Sequence, residues 1–267
     1  MTTAEFDHDP AAQGRVVAAL AGRAIRVQFR RAQFLIPAFL LPLVLLAVIA
    51  SGTSAARDLP AFPDTGAYVG FVVAGTLMQG ALLAGLTAGI ALASDIEGGF
   101  FDRLMTAPVQ RVTIILGRVL AAAMLGLVQG LLFLSVAFLF GARYPGGVSG
   151  VLMAMVLGAL TAATLAGLAS AIALRTGSLS LLQNLFPLTF VLLFTAPAFF
   201  PRELLNPTAE AIAAYNPLAY IVEGIRGALF DNPDLGDPWL AVAIGAGLVV
   251  LMTLLADLAL RRRLATQ

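Results

Sequence analysis

DIEGGFFDRLMTAPVQR, residues 95–111, sits between two long apolar runs, 68–93 and 119–140. It is charged at Asp95, Glu97, Asp102, Arg103 and Arg111 and interrupted by Gly98-Gly99. A break of this kind in an apolar chain faces water. Beyond the glycine pair a helical period resumes. Phe100, Phe101, Leu104 and Met105 fall towards one side, and Asp102, Arg103 and Thr106 towards the other. Pro108 marks the stop. The stretch predicts a short amphipathic helix between two membrane spans. Pattern alone leaves two readings open: a docking element for a soluble partner, and an ordinary charged loop.

The flanking runs set the fold class. The 267 residues are 60% hydrophobic and 12% charged, where a soluble domain carries about 25% charged residues. Mean hydropathy is +0.93. Apolar stretches of about 18 residues are transmembrane candidates. Six appear, at 34–50, 68–93, 119–140, 148–174, 179–200 and 239–260. The expected fold is an all-α integral membrane protein with six transmembrane helices. It forms one domain over residues 14–267 behind a polar, disordered N-terminus, 1–13.

All 16 cationic residues are arginine. A P-loop needs a lysine on the nucleotide phosphates, so ATP hydrolysis, if it drives this chain, resides on another polypeptide. Cysteine is absent, which removes disulfide and thiol chemistry and leaves the redox compartment open. The one histidine is His8, so no His-based metal site or catalytic triad can form. Asp95, Glu97 and Asp102 suggest the metal cluster of a membrane phosphotransferase, but only scraps of that aspartate pattern occur. No catalytic residue, metal or bound cofactor is expected on this chain.

Six spans put both termini on one side. Arginines 15, 23, 26, 30, 31, 103, 111, 118, 175, 261, 262 and 263 then share that side, against 57, 143, 202 and 226 on the other. The positive-inside rule makes the first side the cytoplasm. Small residues Ser51–Ala56 after the first run resemble a cleavage site. However, 33 residues precede that run and two prolines interrupt it, which argues for a span and against a signal peptide. Residues 14–31 read as an interfacial helix, with Val16, Leu20, Ala24 and Val27 opposite Arg15, Arg23, Arg26 and Arg30.

Residues 201–237 are too long for a simple loop and too polar to span. Asn206-Pro207 and Asn216-Pro217 are helix starts, Asn capping and Pro suiting the first helical position. The second helix is predicted over 217–230, with Leu218, Ile221, Val222, Ile225 and Leu229 on one arc. Glu223 and Arg226, three apart, are placed for a helical ion pair in a polar outer patch. Within the spans, Gln79, Gln129, Gln183 and Asn184 are the notable polar residues, as helix glue or passage lining, and Asp257 is spaced to pair with Arg261. Pro187 and Pro197 predict kinks in the fifth span. The near absence of buried ionisable groups argues against a proton-coupled carrier.

Glu97, Gly99, Phe101, Asp102, Arg103, Leu104, Pro108 and Val109 match, in register, a Glu-x-Gly-Thr-Phe-Asp-Arg-Leu-x-x-x-Pro-Val stretch, with Phe100 replacing Thr. Asn216, Pro217, Leu218, Tyr220, Glu223 and Arg226 match a second motif before the last span, and Phe199-Phe200-Pro201 fits after the fifth. In these features residues 15–263 resemble the membrane subunits of ABC-2 type exporters, notably the daunorubicin-resistance permeases. The resemblance implies an interfacial connecting helix at the N-terminus. It makes residues 98–107 a coupling helix, with Glu97, Gly99, Phe101, Asp102, Arg103, Leu104, Met105 and Pro108 contacting a separate ATP-binding subunit. Residues 202–231 become re-entrant outer helices carrying Asn216, Pro217, Tyr220, Glu223 and Arg226.

It further implies two permease subunits, identical or paired, with two ATPase subunits that hold the ATP and Mg. The assembly sits in the bacterial cytoplasmic membrane among its lipids, and nucleic acid is not an expected partner. The passage would run between permeases, lined mainly by the second and fifth spans, with Gln79, Asn184, Phe190 and Phe194 as candidate path residues. The fifth-span rings lean towards a lipid-like or hydrophobic drug-like substrate, and core packing explains them equally. A secondary transporter, a membrane scaffold without an ATPase, and a polysaccharide exporter permease are the alternatives.

Cysteine labelling tests the topology on a background without native cysteines. A Cys placed at Ala265 is expected to resist an impermeant reagent in whole cells, and one at Ser149 to react. The reverse pattern would overturn the arginine argument.

Overall fold

The computed structural model of the chain describes residues 10–30, 32–52, 68–106 and 110–265. Pro108, Val109 and Arg57, with residues 1–9, lie outside them. Among the described residues every regular element is helical. The chain runs α1 (Pro10–Arg30), α2 (Ala32–Gly52), α3 (Tyr68–Glu97), α4 (Phe100–Met105), α5 (Arg111–Leu139) and α6 (Gly147–Thr176). It continues with α7 (Leu179–Asn184), α8 (Phe186–Phe194), α9 (Pro207–Tyr215), α10 (Pro217–Phe230) and α11 (Pro238–Ala265).

Four helical segments are long and apolar enough to cross a membrane: Tyr68–Glu97, Val112–Leu139, Gly147–Thr176 and Pro233–Ala265. The remaining two predicted spans are shorter apolar pieces, Ile36–Ser51 and Leu179–Phe194. The fifth run is not the single kinked helix expected. It breaks at Leu185, Pro187 lies in the first turn of α8, and α8 ends at Phe194. A proline ring has no N–H to give and clashes with the preceding turn, so two prolines in one run divide it. Pro197 sits beyond α8 in a turn.

α3 is the axis of the fold, its most apolar 18-residue window wholly buried. Gly70, Gly75, Gly80 and Gly85 recur every five residues, and each step rotates by about 140°. The four glycines therefore face four different neighbours. A Cβ would meet Phe230 of α10 at Gly70, the Ala198 carbonyl at Gly75, Phe133 of α5 at Gly80 and the Ala162 carbonyl of α6 at Gly85. Gly89 completes the α6 seam against Ala169. What makes no stripe in sequence gives a central helix thin on every side.

α1 begins at Pro10, four residues before its predicted start, and runs along α5. A Cβ on Gly117 would lie 2.8 Å from that of Leu20, so the apolar stripe of α1 rests on a helix. Arg15 and Arg26 remain exposed on it. α11 runs along α6 and α10, and Arg261 Nε donates to Asp257 at 2.6 Å.

Gly89→Val would press two methyl groups into Ala169, and overpacking of this kind costs about 1–3 kcal/mol. Gly247, on α11, has nothing within 4 Å of its Cβ position, so Gly247→Ala should be neutral or stabilise by up to about 1 kcal/mol. Thermal unfolding of the two purified variants checks the contrast.

Candidate functional site

The amphipathic helix predicted beside the second span is α4, six residues long. Gly99 turns the chain into it with φ 68°, a conformation natural to glycine. Phe101 is 1% exposed, and Leu104 and Met105 pack against the same core. Asp102, Arg103 and Thr106 point outwards. The apolar stripe is therefore spent on this chain's own bundle, which corrects the expectation that Phe101 offers contact area to a partner. A six-residue helix gains little from its backbone alone and stays folded by burying its one apolar face.

Behind α4 lies an ion cluster that the sequence did not show. Asp95 accepts from Arg118 at 2.6 Å and from Arg23 at 3.4 Å. The Arg23 guanidinium lies 3.7 Å from the centre of the Phe100 ring. Side-chain exposure is 11% for Asp95 and 8% for Arg118, so the spans do carry buried charge, neutralised locally. The cluster ties α1, α3, α4 and α5 into one body. Glu97, two residues on, accepts from the Leu179 backbone N–H at 2.7 Å. Its carboxylate is directed to the start of α7.

At the opposite end, both Asn-Pro starts cap as predicted. Asn206 Oδ1 accepts from Ala209 N and Asn216 Oδ1 from Leu218 N, with Pro217 in the first turn of α10. Asn216 Nδ2 also donates to Thr195 Oγ1 at 3.0 Å. Tyr220 donates to the Ala214 carbonyl. The predicted Glu223–Arg226 pairing is replaced by two other arrangements. Glu223 takes Arg202 in a bidentate pair at 2.9 and 3.1 Å. Arg226 turns inwards and is 2% exposed. It donates to the carbonyls of Pro197 and Ala198 at 2.6 Å each, donates to Phe71 O at 3.4 Å, and stacks over the Phe71 ring. The turns after α8 leave carbonyls without helical partners, and a planar five-donor group can serve several at once.

The four candidate path residues do not converge. Gln79 is 3% exposed and inside the bundle, with neither amide atom hydrogen-bonded among the described residues. Asn184 and Phe194 are on the outer face of α7 and α8, and Phe190 is half-buried against Phe186. Gln183 is exposed, and buried Gln129 donates to the Ala38 carbonyl. α3, closed in on all sides, does not line a surface between copies in this conformation, whereas Leu188, Val191 and Phe194 of α8 do stand free.

The ABC-2 type transporter family model matches residues 15–230, from α1 through α10. The chain belongs to the ABC-2 type transporter family. The ycf38 transport permease of Porphyra purpurea is 31% identical over 170 residues, covering 62% of this chain and 57% of the relative. The daunorubicin-resistance ABC transporter permease protein DrrB1 of Streptomyces coeruleorubidus is 26% identical over 196 residues, 71% of this chain and 68% of the relative. A doxorubicin-resistance ABC transporter permease of Mycobacterium tuberculosis, DrrC, is 24% identical over 157 residues, 58% of this chain and 57% of the relative. This chain thus spans less than two thirds of the ycf38 relative. As a member of that family with several long apolar helices, it is a multi-pass helical membrane protein.

Removing Arg226 strands buried carbonyls, whereas the Arg202–Glu223 pair is partly exposed. Arg226→Met is expected to cost about 3 kcal/mol, and Arg202→Gln at most about 1 kcal/mol. Unfolding of the two variants in lipid nanodiscs measures the difference.

Proposed function

We propose that this chain is the membrane-spanning permease subunit of an ATP-driven exporter. Two permeases, identical or paired, work with two separate ATP-binding subunits that hold the ATP and Mg. The substrate is lipid-like or hydrophobic and drug-like, and leaves the cytoplasm or the inner leaflet. α2 and the broken α7–α8 complete six membrane passes, with both termini and α4 on the cytoplasmic side of a bacterial membrane. The resistance permeases among the relatives support the substrate class.

The observation that carries this reading is α4. Its hinge, inward apolar face and outward Asp102, Arg103 and Thr106 give a rigid, charged projection directly joined to the axial helix. That is the form a coupling element needs: a contact surface on one side, a firm seat on the other. Motion of the ATPases would reach the bundle through the α1–α3–α4–α5 ion cluster.

The test is co-expression and co-purification with candidate ABC ATPase subunits, followed by ATPase and export assays. Asp102→Arg with Arg103→Glu should weaken partner binding by about tenfold or more, with the permease inserting at normal level. Phe101→Ala should instead lower the stability of the permease itself, by about 3 kcal/mol for a buried Phe. Failure of any ATPase to bind the unaltered chain would overturn the reading, and so would full binding by the charge-reversed variant.

A further inference from the structure

Glu97 is the last residue of α3 and lies immediately before the Gly98-Gly99 hinge of α4. Its Oε1 accepts from Leu179 N at 2.7 Å across 82 residues of chain. Leu179 opens α7, the first half of the divided fifth run. A first-turn N–H has no partner within its own helix. Ser178 Oγ serves the Leu181 N–H, and Glu97 serves that of Leu179, so the start of α7 is capped by its own N-cap residue and from α3 together. The corner before it is clamped as well. Gly177, at φ 64°, would place a Cβ 3.6 Å from Ile96 and 3.3 Å from the Arg263 guanidinium, and Arg263 itself donates to Leu174 O at the end of α6.

This corner joins α6, fully regular, to α7, which breaks after six residues. With so short a helix, the orientation of α7 depends on how its first turn is held. We propose that Glu97 is a positioning residue that transmits displacement of α4 to α7, so that the divided fifth run moves with the coupling helix. It does so by an exposed charge-assisted hydrogen bond added to the packing of α7 against α3, while the α1–α3–α4–α5 cluster transmits to the rest of the bundle. This rests on the reading of α4 as a coupling helix for its purpose. The mechanical link itself belongs to this chain alone.

The first experiment therefore needs no ATPase. Amide hydrogen exchange is followed over residues 179–185 in the full chain in nanodiscs, with the protected 70–90 segment as the control for folding. Gly99→Ala, strained at a positive φ, serves to displace α4. It is expected to raise exchange at 179–182 by about fivefold, the scale of one hydrogen bond. In a Glu97→Ala background, exchange there is already raised and Gly99→Ala adds nothing further. Glu97→Gln keeps an acceptor oxygen and keeps the dependence. Ser178→Ala loosens α7 while leaving its response to Gly99→Ala in place.

An equal response to Gly99→Ala with and without the Glu97 side chain would overturn the link, as would no response at all. With the ATPase added and bound, Glu97→Ala should lower export per ATP hydrolysed by about fivefold, and Glu97→Gln should recover most of it. An unchanged ratio in Glu97→Ala would show a local cap and sink the proposal. If no ATPase binds the unaltered chain, the proposed function falls, and the exchange experiment still decides the link.

Discussion

Backbone polar groups inside an apolar bundle must find partners within the protein, because hydrocarbon offers none. The rest of this structure answers to that constraint. Continuous helices meet it by themselves, and α3, α5, α6 and α11 do. The divided fifth run cannot. Its first turn, at the exposed end, is supplied by Ser178 and Glu97, and the buried carbonyls after α8 by Arg226 and Tyr68. Two of these side chains come from stretches singled out in the sequence, Glu97 from the charged break and Arg226 from the Asn-Pro motif. Motif residues that look like a binding surface act in this conformation as partners for interrupted backbone.

The two ends of the bundle treat charge differently. At the end bearing α4, Asp95 gathers two arginines and so fastens four helices, with Arg118 and Asp95 forming a neutral buried pair and Arg23 partly exposed beside them. Removing one member of such a buried pair is costly, though the pair itself adds little over a well-packed apolar core. Its value is in fixing which helices meet. At the other end, Arg226 is held by carbonyl dipoles and an aromatic face. A lysine ammonium, a compact point charge, would not span the same carbonyls while stacking on Phe71.

Signals that act within a few residues were legible in the sequence. The start and end of α10, both Asn caps, the apolar arc of α10 and the hinge before α4 follow from cap, proline and period. The family was legible from two motifs at the right places. Signals that depend on another element were not. Amphipathicity gave the two faces of α4 but not which one the bundle would take. Arg118 and Asp95 are 23 residues apart, and no local rule pairs them. The i, i+3 rule favoured Glu223 with Arg226, whereas the nearby Arg202 and the open carbonyls after α8 offered each a better match. In the fifth run the prolines announced a kink, but hydropathy, high throughout, did not show that the run would divide at Leu185.

The glycines of α3 have a meaning for biosynthesis. A helix presenting glycine in every direction is poor in side-chain contact and rich in backbone surface, and in water it would be among the weakest in the chain. In hydrocarbon the cost of an open backbone amide holds it helical without help. α3 emerges from the ribosome before α5, α6, the turns after α8 and α10, which will fill its four grooves. It can thus enter the bilayer as a slender, preformed rod and wait there, its neighbours closing around it as each is made. The order of synthesis and the order of packing then run the same way, from the axis outwards.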